Sequence, residues 1–283
     1  MLLVSRHDQA FSILAKTDQT NRRLWVQEYQ FRSPSLLRKY LKDFAREQGL
    51  EKIIMPVKEE DLGHLRSDDF VVEGFIEGYF PSSKGYFLSA YPYRNRGISD
   101  SLSEEQKMLQ NILSQPQLNK SRLPKGLSMR QAERMDTFAM SELLNEVFSS
   151  YPTPVNDPCY LERSLKKGDL YMVIYDGQYL AGVATAEIEK CYHRAELTNC
   201  ATRPNYRGLG LNTILLKELE RRCLSEKIHC LYSLARASSY GMNLVLHRLG
   251  YVFGGTLVNN CHIAGRFENM HIWTKPVQPI DKD

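Results

Sequence analysis

Residues 199–223 read NCATRPNYRGLGLNTILLKELERRC. An apolar, β-prone stretch enters a tight turn rich in Gly and Arg, and a helical pattern leaves it. The turn, Arg207-Gly208-Leu209-Gly210-Leu211-Asn212, has the chemistry of a pyrophosphate site. A side chain at Gly208 or Gly210 would block close approach of the backbone to an anion, and glycine tolerates unusual φ/ψ. The helix predicted to begin between Leu211 and Thr213 aims its orphan N–H groups and the positive end of its dipole at the turn. Arg207 adds a fixed charge with a planar donor fork.

Spacing excludes two other glycine-rich loops. A Walker loop needs Gly-Lys followed by Ser or Thr, and the chain has none. The dinucleotide fingerprint needs a third glycine where Thr213 stands. A surface turn that only caps the helix is the simpler alternative.

The surrounding pattern resembles the GNAT N-acetyltransferase superfamily, whose acetyl-CoA loop reads Arg/Gln-x-x-Gly-x-Gly/Ala. Arg207 and Gly210 match, and Asn212 replaces the final small residue. The resemblance covers residues 127–275. LSMRQAERMDTFAMSELLNEVF is similar to the family's first strand and first helix. LYMVIYDGQYLAGVATAEIEK is similar to the hairpin of its second and third strands, turning at Asp176-Gly177. RAELTNCAT resembles the fourth strand, KIHCLYSLAR the fifth, and SSYGMNLVLHRLGYVFGGTL the following helix with its Leu-Gly-Tyr ending. The resemblance implies an α/β fold with a mixed, mostly antiparallel sheet flanked by helices. It also implies acetyl-CoA as acyl donor, a small-molecule amine as acceptor, and no metal.

A narrower likeness lies in ARASSYGMNLVLHRLGYVFGGTLVNNCHIAGRFENMHIWTK, with FSSYPTPVNDPCYL upstream. These runs resemble the β-lysine N-acetyltransferases, which acetylate the side-chain amine of 3,6-diaminohexanoate to give a compatible solute. Alternative acceptors are a polyamine, a lysine-like amino acid or a protein lysine. A non-catalytic acyl-CoA sensor is a third reading.

Composition bounds the function. The chain has 283 residues, 42% hydrophobic and 25% charged, which is that of a globular protein. No apolar run approaches the ~20 residues that cross a bilayer. The start, MLLVSRHDQAFS, is too short in apolar residues for a secretion signal, so a cytoplasmic protein is expected. The net charge of +4 is spread along the chain and argues against nucleic acid as a partner. Six cysteines lack metal-binding spacing and are expected as buried small hydrophobes. The oligomeric state, a homodimer included, stays open.

Residues 1–96 are expected to form an N-terminal α/β domain, 97–125 a linker carrying a short helix (EEQKMLQNIL), and 126–283 the acetyltransferase domain. In the first part, AFSILAK and RRLWVQEYQF predict a hairpin, and Ser33-Pro34 opens a helix running to the Glu47-Gln48 region. KIIMPV predicts a strand, DLGHLRSDDF a short helix, VVEGFIEGYF and GYFLSAY two strands. The order helix, strand, helix, strand, strand repeats in the second part. The N-terminal domain is therefore a candidate half-copy of the acetyltransferase fold without the anion loop, against a chance α/β succession.

Acetyl transfer to an amine requires a base, since a free ammonium has pKa ~10.4 and no lone pair near neutral pH. The resemblance places Glu196 on the fourth strand as base, with Glu187 on the third as alternative; a half-buried carboxylate has its pKa raised toward the useful range. It also implies that the fourth and fifth strands splay, so that the backbone of Asn199, Cys200, Ala201 and Thr202 meets the cofactor arm. The diphosphate falls to Arg207, Gly208, Leu209, Gly210, Leu211, Asn212 and Thr213, with Ser239 and Asn243 as further cofactor contacts. The family's usual acid, a Tyr in the last helix, is replaced by Leu246, which leaves Tyr240, then Tyr251 and His247. For the acceptor, Arg236 is the candidate carboxylate anchor, or else a structural ion pair. Asp157 and Glu268 are candidates for the ammonium, Asn259 and Asn260 for hydrogen bonds, and Tyr151 and Tyr160 for walls around the aliphatic chain.

Overall fold

Hydrophobic alternation and turn signals split the chain into short strands and helices. The computed structural model describes residues 2–81, 83–117, 122–148 and 153–276. The first half holds β1 (Leu2–His7), β2 (Phe11–Asp18), β3 (Arg23–Phe31), α1 (Pro34–Glu47), β4 (Lys52–Lys58), α2 (Glu59–Leu65), β5 (Val71–Phe80) and β6 (Ser83–Ala90). The connecting helix α3 (Leu102–Leu113) follows. The second half holds β7 (Leu127–Gln131), α4 (Thr137–Val147), α5 (Pro158–Lys167), β8 (Leu170–Asp176), β9 (Tyr179–Glu189), β10 (Arg194–Thr202), α6 (Leu211–Ser225), β11 (Cys230–Arg236), α7 (Tyr240–Arg248), β12 (Val252–Ile263) and β13 (Arg266–Pro276).

Three segments go beyond or depart from expectation. The opening residues form β1, an exposed edge strand paired antiparallel with β2. PCYLERSLKK, for which the sequence reading named no element, is α5: the Asp157 side chain accepts from the Cys159 amide, Pro158 stands in the first turn, and Gly168, at φ 102°, ends it. The short helix α2 also stops at Leu65, before the SDDF segment.

The strands form one continuous 13-stranded sheet in the order β1-β2-β3-β4-β6-β5-β12-β13-β11-β10-β9-β8-β7. Each half runs through it alike. In the first, β3 and β4 are parallel and β4, β6 and β5 antiparallel. In the second, β10 and β11 are parallel and β11, β13 and β12 antiparallel. The order β1-β2-β3-β4-β6-β5 thus matches β8-β9-β10-β11-β13-β12, and the two meet back to back at β5 and β12.

That seam requires glycine. A methyl group added at Gly74 would sit 2.6 Å from the Gly254 carbonyl oxygen, and one at Gly254 or Gly255 would strike the Phe75 or Glu73 carbonyl. A buried ion pair fastens the junction. Lys52 is fully buried, lies 2.7 Å from Glu73 and donates to the Val258 carbonyl at 2.7 Å, while the Val258 amide donates to Glu73 at 3.0 Å. Apolar side chains from both halves, among them Ile54, Phe87, Leu257 and Ile272, close the core beneath it.

The halves differ where a helix leaves the splayed strand. In the first half only Arg32 and Ser33 separate β3 from α1, and Ser33 caps the helix with its own side chain. In the second half, residues 203–210 intervene, and both Gly208 (φ 80°) and Gly210 (φ 74°) adopt the left-handed conformation. Of these two helix starts, that of α6 has no side-chain cap.

Candidate active site

The parallel ladder between β10 and β11 is short. Arg194, Ala195 and Glu196 pair with Cys230, Leu231 and Tyr232, and the pairing then stops. Just beyond, a bulge breaks the β9–β10 register between Thr198 and Ala201. Asn199 lies in it at φ 49°, a conformation that Asn tolerates better than most residues. The splay and the bulge open a cleft of 870 Å³ between the two strands.

One end of the cleft is the glycine turn. Arg207, Gly208, Gly210, Leu211, Asn212 and Thr213 all line it. Among the described residues, the amides of 208–213 have no hydrogen-bond acceptor within the chain. Arg207 is exposed and has no ion-pair partner there. Six unused donors, a helix N-terminus and a free guanidinium meet the requirements of a diphosphate. The Asn212 side chain turns aside to accept from Thr202 at 2.9 Å, which leaves room over the turn despite its size. Leu209 is the exposed tip and does not line the cleft.

Deeper in, β10 alternates as a strand must. Cys200 and Thr202 face the cleft, while the Ala201 side chain packs under α4 with Met140 and Leu143. Burial pushes the Cys200 thiol up to about 12, so it stays a protonated small hydrophobe and no nucleophile.

The centre holds two carboxylates. Glu196 and Glu187 are register partners on β10 and β9, and both line the cleft. Burial, reinforced by the Glu187 charge, pushes the Glu196 carboxyl up to about 8. Burial also raises Glu187, with the Asp169 charge adding to it and a hydrogen bond from Asn199 opposing it. The Asn199 Oδ1 atom is itself buried with no partner among the described residues.

Sequence reasoning missed Tyr232, the parallel-register partner of Glu196, which lines the cleft beside that carboxylate. Burial, followed by the Glu196 charge, drives the Tyr232 hydroxyl well above the ordinary tyrosine range, so it remains a donor. Only the strand register could have revealed this, because the KIHCLYSLAR pattern says nothing about which residue faces Glu196.

Several expected contacts are corrected. Tyr240 is exposed, and its hydroxyl donates to Asn111 on α3 at 3.3 Å, away from the cleft lining. Of the other acid candidates, Tyr251 is buried core and His247 contacts the Gln115 carbonyl at 2.8 Å. Ser239 does line the cleft. Asn243 does not: its amide donates to the Arg236 and Ser239 carbonyls, and its oxygen accepts from Trp273 at 2.7 Å. Arg236 borders the cleft, but Glu268 takes its fork through two hydrogen bonds at 2.5 and 2.7 Å. The two candidate anchors therefore neutralise each other.

Asp157 caps α5 through the Cys159 amide, and Tyr160 packs on the α4–α5 core, so neither lines the cleft. Asn259 donates to the Arg96 and Ile98 carbonyls and is structural. Asn260 is buried, lines the cleft and leaves its Oδ1 unpartnered. Tyr151 lies outside the described residues.

The cleft does not end in the second half. Lys16 and Trp25, from β2 and β3 of the first half, also line it, as does Tyr79 of β5, whose ring lies 5.9 Å from that of Tyr232. The linear boundary at residue 96 thus cuts through one site.

Comparison with known proteins agrees with this geometry. Residues 137–251 match the Acetyltransferase (GNAT) family. The chain is 38% identical over 262 residues to the N-acetyltransferase YodP of Bacillus subtilis (strain 168), covering 91% of this chain and 94% of that one. It is 30% identical to a beta-lysine N(6)-acetyltransferase of Methanosarcina mazei, over 83% of this chain and 94% of the relative. A protein of the same name from Methanococcus maripaludis is 27% identical, over 84% and 86%. Among the described residues no cluster of His, Cys, Asp or Glu could hold a metal, and no helix is long and apolar enough to cross a membrane. With an open helix start for the diphosphate, a splayed strand pair and a raised carboxylate between them, the chain belongs to the GNAT acetyltransferase family and is an acetyl-CoA-dependent N-acetyltransferase.

Proposed function

We propose that the chain acetylates the side-chain amine of β-lysine by direct transfer in a ternary complex. The reading is carried by one continuous cleft that joins the unbonded amides of residues 208–213 to the raised carboxylate of Glu196. Two relatives bearing the β-lysine name support the acceptor.

Each residue then has a task. Arg207 and the amides after it bind the diphosphate, and the unpaired edge of β10 at Asn199 to Thr202 takes the pantetheine arm as a missing strand would. Glu196 takes the first proton from the substrate ammonium. The freed lone pair forms the amide bond as the carbon–sulfur bond breaks, and the second N–H proton finishes on the departing thiolate. Glu187 helps hold the Glu196 pKa high, and Tyr232 stands beside that carboxylate as a neutral hydroxyl. The product carries one ammonium and one carboxylate, so it has no net charge, as suits a solute that accumulates without counter-ions.

Thiol release from acetyl-CoA with β-lysine, α-lysine, ornithine and spermidine tests the acceptor. A preference of tenfold or more in kcat/KM for β-lysine is expected. Equal or better turnover of spermidine would assign a polyamine instead, and no turnover of any of the four would end the small-amine reading.

A further inference from the structure

The two halves can be aligned by register alone. Asp18 pairs with Arg23 on β2 and β3, and Glu189 pairs with Arg194 on β9 and β10. Both pairs are ion pairs, at 3.0 and 2.8 Å. Each arginine also donates to a carbonyl on the central strand of the opposite half: Arg23 to Asn260 on β12 at 3.2 Å, Arg194 to Tyr79 on β5 at 2.9 Å. The halves therefore cross-brace each other through matching positions, which bring the β2–β3 face against the β9–β10 face.

Two residues further along each ladder the chemistry diverges. The second half presents Glu187 opposite Glu196, whereas the first half presents Lys16 opposite Trp25. All four line the one cleft. Alternation along a strand puts Lys16 on the same face as Asp18, and Trp25 on the same face as Arg23. Asp18 and Arg23 satisfy each other, and among the described residues Lys16 has no hydrogen-bond or ion-pair partner. The cleft thus receives carboxylates from the second half and an unpaired, half-buried ammonium from the first.

The same cleft is lined by an unpaired acceptor. Asn260, whose carbonyl receives the Arg23 hydrogen bond, is fully buried with its Oδ1 unpartnered. Burying a polar group without a partner is costly. A cation and an acceptor left open in one cleft match a ligand that brings an anion and a donor.

We propose that the N-terminal half is the acceptor-recognition half of the active site, with Lys16 binding the acceptor's carboxylate and Asn260 its non-reacting ammonium. Trp25 walls the aliphatic chain between that end and Glu196. The assignment rests on the amine-acetylation reading above and deepens it to one substrate class, amines that carry a carboxylate remote from the reacting nitrogen. It also replaces Arg236, whose fork is held by Glu268.

The test compares wild type with Lys16→Gln on β-lysine and on 1,5-diaminopentane, which keeps the amine and lacks the carboxylate. Lys16→Gln is expected to raise KM for β-lysine at least tenfold, leave KM for acetyl-CoA within twofold, and leave the diamine unaffected or improved. The unchanged acetyl-CoA KM reports that the variant is folded. Calorimetric titration of β-lysine into protein saturated with coenzyme A reads the same contact without turnover. If wild type binds β-lysine through Lys16 but does not acetylate it, the function falls and the carboxylate site stands. If wild type acetylates β-lysine and Lys16→Gln alters both acceptors equally, or neither, the site is overturned. Failure of wild type to bind β-lysine overturns it as well.

Discussion

Glu196 and Glu187 stand directly opposite each other on neighbouring antiparallel strands, and both line the cleft proposed for the acetyl donor. Opposed side chains in a ladder have Cβ atoms only ~5 Å apart, so like charges there repel. Burial adds to that repulsion, and the Glu196 carboxyl rises to about 8. Such a group is a useful base near neutral pH, because it holds a proton strongly enough to take it from an ammonium.

Replacing Glu196 by Gln tests that role. Below about pH 8 the carboxyl is protonated and cannot accept, so wild-type kcat/KM should climb through a limb centred there. In Glu196→Gln the limb should vanish, with turnover lower by roughly 100-fold or more, the usual contribution of a positioned base. Residual activity should rise only toward pH ~10.4, where the amine loses its own proton. The gap between the two proteins therefore narrows at high pH. Equal losses across the range would remove Glu196 as the base.

The neighbouring carboxylate makes a different prediction. Glu187→Gln removes the charge that helps hold the Glu196 proton, so the activity limb should move to lower pH while its height changes little. A stopped-flow or steady-state pH profile reads this directly. A fall in kcat with the limb unmoved would instead make Glu187 the proton acceptor.

Arg207→Gln tests the proposed diphosphate contact, since it removes an exposed charge from the cleft lining without touching the fold. A hydrogen bond to a charged group contributes ~1.5–3 kcal/mol, so KM for acetyl-CoA should rise roughly tenfold or more. Acetylated pantetheine, which has no diphosphate, should lose nothing. The wild-type preference for acetyl-CoA should also weaken with added salt, since the contact is an exposed charge pair.

The anion turn and the second-half strands were legible in the sequence because they rest on local physics: glycine φ, helix ends and strand alternation. Gly208, Gly210 and the start of α6 fall where those rules place them. The acceptor end was not legible, because it depends on register and on which sheet faces meet. Nothing in AFSILAK tells that Lys16 turns into a cleft with Glu196, or that Tyr232 stands beside it. Arg236 misled for the opposite reason. A lone arginine at a strand end reads as a free anchor until a glutamate 32 residues on is seen to hold it. The shared element order of the two halves was visible, but the back-to-back seam depends on long-range pairing of β5 with β12.

That seam gives the last prediction. Lys52 lies fully buried between the halves, bridging Glu73 of the first and the Val258 carbonyl of the second. Lys52→Met leaves Glu73 charged and buried, with donors remaining only from Ser89, Tyr91 and the Val258 amide. Breaking a buried pair by removing one member costs ~3–5 kcal/mol. Urea unfolding of the variant should therefore show a lower midpoint, by about that amount of free energy. Adding Glu73→Gln should restore a large part of it, since the leftover charge is then gone. Lys16 and Trp25 line the cleft from the first half, so partial opening of the seam should raise KM for the amine before it affects acetyl-CoA. A midpoint equal to wild type in the single variant would show that the seam is held by its apolar and glycine contacts alone.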